Sequence, residues 1–294
     1  MPPPALHGPA FHAPRSVADT VALLAADPGA RVLSGGTDLI VQMQSRRIAP
    51  SAVVDVKRIA GMIGIRTEAD GFIIGAATPC TALMEHAGLA AAWPGVVEAA
   101  NLIGSVQVRN RATMAGNLCN ASPAADSVPA LVAARATCVI AGPGGTREVA
   151  VAAITTAPGK TTLASGEFVV EIRLPARPPG GGDAYLRSIP RTEMDIAVVG
   201  AAAALVLDAS GTCTAARIAL GAVAPTVLLV EAAGAALVGS KLDEAALEAL
   251  AAAVRAACRP IDDKRGTVAY RTAMAGVLAK RVVAIACERA GGKA

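Results

Sequence analysis

The stretch PARPPGGG, residues 175–182, limits what this chain can fold into more than any other. Proline removes a backbone donor and fixes φ, and consecutive glycines favour no regular element, so no helix or central strand runs through it. A chain of 294 residues is about two domains by the prior of ~100–200 residues each. The boundary is therefore placed here, dividing residues 1–176 from 177–294.

Hydrophobic residues make up 53% of the chain and the mean hydropathy is +0.50, which raises the question of a membrane. The longest uninterrupted apolar run is Ile196–Leu207, IAVVGAAAALVL, twelve residues long. A spanning helix needs about 20, so no membrane span is expected. With 27 Lys and Arg against 23 Asp and Glu the net charge is +4, spread without a block. That balance implies no polyanionic partner. The six aromatics, Phe11, Phe72, Phe168, Tyr185, Tyr270 and Trp93, are too few for a base-stacking nucleic-acid surface. The N-terminal MPPPALHGPAF lacks a basic region followed by an apolar one, so no export signal is expected and the cytoplasm is the default location.

Cysteines 80, 119, 138, 213, 258 and 287 lie far apart with no CxxC or CxxxC. Neither a zinc site nor an iron–sulfur cluster is encoded locally, and the thiols read as small, reduced core residues. His7 and His12 sit in a Pro-rich arm. His86 ends an apparent helix, where a cation suits the dipole. No Ser/His/Asp or Cys/His pairing is legible, so no catalytic residues are assigned.

Residues 14–56 read as a small α/β unit: a helix opened by Ser16 and Asp19 (S-x-x-D), a strand at Arg31–Leu33, a glycine turn, a helix and a strand at 51–56. Residues 63–77 read as a hairpin, followed by helices at 79–86 and 89–103. The polar, turn-rich stretch 108–131 shows no periodicity and is expected to hold no regular element. Strands are expected at 136–141, 146–149 and 168–174. Beyond the break, 184–189, 196–207 and 215–223 read as antiparallel strands with a turn at Ser210-Gly211. Helices at 226–238, 243–258 and 267–289 complete an α+β tail, with Asp262–Arg265 as a capped, solvated helix start.

Two segments could carry chemistry. In Val32-Leu33-Ser34-Gly35-Gly36-Thr37-Asp38-Leu39, adjacent glycines let backbone approach a ligand, and successive N–H groups before a helix can cradle a phosphate. The spacing is neither GxGxxG nor GxxxxGK[ST], and a purely structural turn has the same form. The segment Thr113–Asp126, TMAGNLCNASPAAD, packs small residues with hydroxyl and amide groups and has almost nothing to build a core. It suits a loop whose short polar groups bond something buried, or one that faces solvent.

Together, SGGTDL and TMAGNLCNASPAADS resemble the paired FAD-binding signatures of the medium, flavoprotein subunit of molybdenum hydroxylases. That family includes the xanthine dehydrogenases and aerobic carbon monoxide dehydrogenases. The resemblance continues through TTLASGEFVVEIRLP (161–175), DIAVVGAAAAL (195–205), APTVL (224–228) and PIDDKRGTVAYRTAMAGVL (260–278), so it spans nearly the whole chain in order. It implies an α+β fold: a two-subdomain FAD-binding domain of the vanillyl-alcohol-oxidase type, about 1–57 and 58–176, then a C-terminal α+β domain. By the same resemblance, Val32 to Leu39 would wrap the FAD pyrophosphate, and Thr113, Gly116 and Asn117 would form a second phosphate and ribityl clamp. Ser122 and Asp126 would lie on the cofactor within the second motif, with Asp126 as a polar anchor. Ile103 and Val169 match cofactor-contacting positions, and Tyr185 matches a tyrosine that covers one flavin face in some members.

Ala115 replaces the first glycine of the family's GGN, and Val198 stands where other relatives carry a lysine near the flavin. The inserted cysteine cluster of hydroxybenzoyl-CoA reductase subunits is missing. The resemblance further implies [2Fe–2S] clusters on a small partner chain, molybdopterin on a large one, a dimer of heterotrimers, and NAD or another electron acceptor. The alternatives are a stand-alone FAD-dependent oxidoreductase, which the poverty of His and Tyr disfavours, and an assembly subunit that has lost its flavin, which the intact motifs disfavour.

Overall fold

The computed structural model describes residues 8–292. His7 and most of the Pro-rich arm lie outside the described residues. The chain opens with β1 (Ala10–His12), α1 (Val17–Ala26), β2 (Arg31–Leu33), α2 (Leu39–Gln44) and β3 (Ala52–Asp55). Ser16 starts α1 as its sequence suggests, its Oγ accepting from Asp19 N at 3.0 Å. The three strands form a parallel sheet in the order β1-β3-β2. The arm's end thus supplies an edge strand, so the unit begins at Ala10 and not at residue 14.

The second region runs β4 (Ile65–Glu68), β5 (Gly71–Gly75), α3 (Cys80–Glu85), α4 (Ala87–Ala92), α5 (Pro94–Asn101), α6 (Val106–Arg109), α7 (Met114–Cys119) and α8 (Ser127–Ala133). After these come β6 (Thr137–Gly142), β7 (Gly145–Ala150), β8 (Thr155–Ala157), β9 (Lys160–Thr161) and β10 (Phe168–Pro175). Five of the strands form an antiparallel sheet, β4-β5-β10-β6-β7, and β8 pairs with β9.

Here the expectation of no regular element across 108–131 is corrected. Ser105 and Thr113 cap α6 and α7 through their side chains, and every residue of α8 is buried. α8, buried on all sides, carries no amphipathic stripe, and α6 and α7, of four and six residues, are too short to show one. The helix expected at 89–103 is also broken. His86 ends α3 as expected and also opens α4, Leu89 N donating to its Nδ1 at 3.0 Å, and Pro94 opens a further helix.

The remainder is β11 (Gly181–Ser188), β12 (Val199–Leu207), β13 (Cys213–Gly221), β14 (Leu228–Leu229), α9 (Glu231–Ala235), α10 (Glu244–Ala257) and α11 (Val268–Arg289). The helix expected at 226–238 is thus shortened by a strand. The four strands form one antiparallel sheet in sequence order, with Tyr185 opposite Ala202. This sheet is a shared wall. Strand alternation sends Tyr185, Ala202 and Ala219 into the first hydrophobic core, while Ala184, Ala201, Ala203 and Leu205 face a second core under α10 and α11. Both faces being covered, β12 reads as a continuous apolar run. Among the described residues, no helix is long and apolar enough to cross a membrane.

Buried polar groups join the segments. Arg271 on α11, 3% exposed, donates to Val198 O and Asp263 Oδ1, both at 2.7 Å. Asp263 therefore anchors a buried arginine instead of merely capping a helix. The six cysteines form no disulfide among the described residues.

Candidate functional site

The β2–α2 turn and the start of α7 meet edge to edge. Gly35 lies so close to Arg111 that a Cβ there would stand 2.1 Å from its carbonyl oxygen, and Gly36 takes φ +81° to turn the chain into α2. Ser34 Oγ donates to Ala76 O at 3.0 Å and lies 3.1 Å from Thr113 Oγ1, which also accepts from Gly116 N at 2.9 Å. Behind the turn, Lys57 Nζ donates to Ser34 O at 3.0 Å and pairs with Asp55 at 2.7 Å. Farther along, Gln42 Nε2 donates to Asn120 Oδ1 at 2.8 Å and bridges α2 to the end of α7.

Between these contacts runs a groove of about 460 Å³, within the usual range of ~300–1,000 Å³ for small-molecule sites. Val32, Ser34, Gly35, Gly36, Thr37, Asp38 and Leu39 line one side, and Thr113, Gly116 and Asn117 the other, with Ile103 and Val169 closing it. A bulge between Val169 and Glu171 in β10 locally re-aims the strand beside the groove. Ala115 falls inside α7, so its side chain replaces glycine without backbone strain.

Among the described residues, the N–H groups of Gly35, Gly36, Thr37 and Asp38 donate to no protein acceptor. Such a row at the mouth of a groove is made for oxyanions. Asn117 Oδ1 accepts from Ser127 Oγ at 2.7 Å, which leaves its Nδ2 as the group to offer a ligand. The lining carries little charge. Glu167 is held by Arg147 at 2.7 Å, and burial pushes the Asp38 carboxyl above its ordinary value. Cys119 lines the groove with its thiol pushed up to about 12 by burial, so it is not a reactive thiolate.

Residues 7–177 match the family described as the FAD binding domain in molybdopterin dehydrogenase, and residues 184–286 the carbon monoxide dehydrogenase flavoprotein C-terminal domain. The chain belongs to the FAD-binding medium subunits of the carbon monoxide and xanthine dehydrogenase family. It is 40% identical to the carbon monoxide dehydrogenase medium chain of Afipia carboxidovorans, over 95% of this chain and 97% of that one. Identity to the xanthine dehydrogenase FAD-binding subunit of Escherichia coli O157:H7 is 33%, over 96% and 97%. A solved carbon monoxide dehydrogenase of Hydrogenophaga pseudoflava, lacking the Mo-pyranopterin moiety of its molybdenum cofactor, superposes with a TM-score of 0.92 at 38% identity. That match covers 96% of this chain and 98% of the other. The family is one of oxidoreductases.

For this medium subunit the groove fits the FAD of its family. Its free backbone donors suit a pyrophosphate, and a Cβ on Gly116 would meet only Thr113 Oγ1, at 2.9 Å, so the backbone there is open to a ligand.

Four of the residues expected on the cofactor lie outside the groove lining. Leu33 alternates away from Val32 along β2 and packs beside Gly36. Ser122 Oγ accepts from Ala124 N at 3.3 Å within a turn. Tyr185 is not a lid: it is 2% exposed in the first core, and its OH donates to Asp126 Oδ1 at 2.9 Å. Asp126 is not an open anchor either, because Arg187 takes its other oxygen at 2.6 Å. Burial pushes the Asp126 carboxyl up to about 6, against the pull of Arg187 and Tyr185.

Sequence reasoning missed Gln42, Gly159 and Phe168, which also line the groove, as does Asn120 from within the second motif. Only Gly159 had a local signal, the Pro158-Gly159 turn between β8 and β9. Its N–H donates to Ala121 O at 3.0 Å and ties that hairpin to the second motif.

Proposed function

We propose that this chain is the electron-transfer subunit of a molybdenum hydroxylase. It would receive electrons from [2Fe–2S] clusters on a small partner chain, fed by molybdopterin on a large one, and deliver them to NAD or another acceptor. The observation that carries the reading is the row of unpaired N–H groups from Gly35 to Asp38 facing Thr113, Gly116 and Asn117 across one groove.

FAD, when bound, accepts single electrons and can donate a hydride, and its chemistry is its own. The chain's residues supply position. Gly35 to Asp38 would hold the pyrophosphate through backbone N–H groups, while Thr113, Gly116 and Asn117 would hold the opposite side. Val32, Leu39, Ile103 and Val169 would exclude water along the apolar walls. On this reading no side chain here has to act on an organic substrate.

On the same reading the chain divides near residue 176, works in the cytoplasm and assembles as a dimer of heterotrimers. The test is anaerobic addition of NADH to the assembled complex. Loss of the visible flavin band supports NAD as the acceptor. An unchanged band with NADH, alongside bleaching by the organic or gaseous substrate, assigns another acceptor. A complex without flavin refutes the reading.

A further inference from the structure

A second cavity, of about 340 Å³, lies where the end of β10 meets the start of β11, the ends of α8 and β12 and the first half of β13. It is distinct from the groove: none of its lining residues is shared with it. Three cations line it, Arg135, Arg177 and Arg217, and no carboxylate does.

The three differ in how far the protein already uses them. Arg177 is committed, with Nε donating to Gly181 O at 2.7 Å, Nη1 to Ala92 O at 2.9 Å and Asp183 at 3.6 Å. Arg217 donates through Nε and Nη2 to a single carbonyl, Val132 O, and makes no ion pair among the described residues. The exposed side chain of Arg135 has no hydrogen-bond or ion-pair partner among them, and burial together with the charge of Arg135 lowers the pKa of Arg217, against the opposing pull of Glu231. Arg135 also holds φ +59° just past the end of α8, a position where glycine is the usual occupant.

Two like charges at one cavity whose lining holds no carboxylate are complementary to an oxyanion, which guanidinium groups grip in bidentate fashion. The remaining walls are apolar, with Trp93, Pro175, Leu205 and Val206 among them. We propose that this cavity binds a small organic oxyanion, its carboxylate or phosphate between Arg135 and Arg217 and its apolar body along Trp93 and Pro175.

Trp93 is the chain's single tryptophan, so its emission reports this cavity. The full chain is titrated with benzoate and with phenylphosphate, using benzyl alcohol and sodium chloride of equal ionic strength as controls. The proposal expects a saturable change in Trp93 emission with at least one of the two anions, and the tighter one identifies the head group. Arg135→Gly removes the cation while suiting the positive φ, so the fold is kept, and it should weaken binding tenfold or more. A change that does not saturate, that sodium chloride or benzyl alcohol reproduces, or that keeps full affinity in Arg135→Gly overturns the proposal. Because FAD absorbance is read in the same samples, failure here is separable from failure of the flavin reading.

Discussion

The hydroxyls of Ser34 and Thr113, 79 residues apart in sequence, lie 3.1 Å from each other. That contact fastens the first glycine turn to the N-terminus of α7, and with Gln42–Asn120 it frames the groove between them.

Thr113 performs two tasks in this frame, capping α7 at Gly116 N and meeting Ser34. Thr113→Ala should destabilise the chain by about 1 kcal/mol through the lost cap and weaken FAD binding, while Thr113→Ser should retain both. Urea midpoints and FAD titrations on the two variants check this.

Gly35→Ala places a methyl 2.1 Å from the Arg111 carbonyl, where only backbone can give way. The walls must part, at a cost of about 1–3 kcal/mol by analogy with overpacked cores. Flavin content and melting temperature should fall together. A variant as stable and as yellow as wild type would show that the close approach is not needed.

The Gln42–Asn120 bond spans the groove like a strap, and its loss is worth about 1 kcal/mol. Gln42→Ala should therefore release FAD several-fold faster with little change in melting temperature. Stopped-flow trapping of released flavin by an excess of apoflavoprotein measures the rate.

Asp126 gives the chain a pH signature. Its folded pKa of about 6 lies above the ordinary 3.8, so the folded state holds this proton more tightly than the unfolded state. The stability it contributes is full below the ordinary value and is lost as pH rises through about 6, and Asp183 acts in the same direction. Asp126→Asn should flatten the fall in unfolding free energy between about pH 4 and about pH 6, by at most ~1.4 kcal/mol per pH unit. An unaltered slope would place that proton elsewhere.

The sequence showed most of the strands and both walls of the groove, because alternation, turns and short motifs are local signals. It did not show α7 and α8. α8 is buried on every side and α7 is a six-residue helix with one face in the core and one on the groove, so neither carries a periodic signal long enough to tell helix from loop. Nor could it tell that Tyr185 and Asp126 point at each other and away from the groove. Both faces of β11 are covered over Gly181–Tyr185, and no polar alternation marks which side a tyrosine takes. Gln42, and its bond to Asn120 of the second motif, escaped because a long-range hydrogen bond leaves no trace in the local sequence.

The most direct test of the central claim is an FAD titration of the purified full chain beside its Gly116→Trp variant. Gly116 has only Thr113 Oγ1 near its missing Cβ, so the indole fills the groove without invading the core. The account predicts one non-covalent FAD bound per wild-type chain, none bound to the variant, and cooperative melting in both. Equal FAD binding by the two proteins would contradict it.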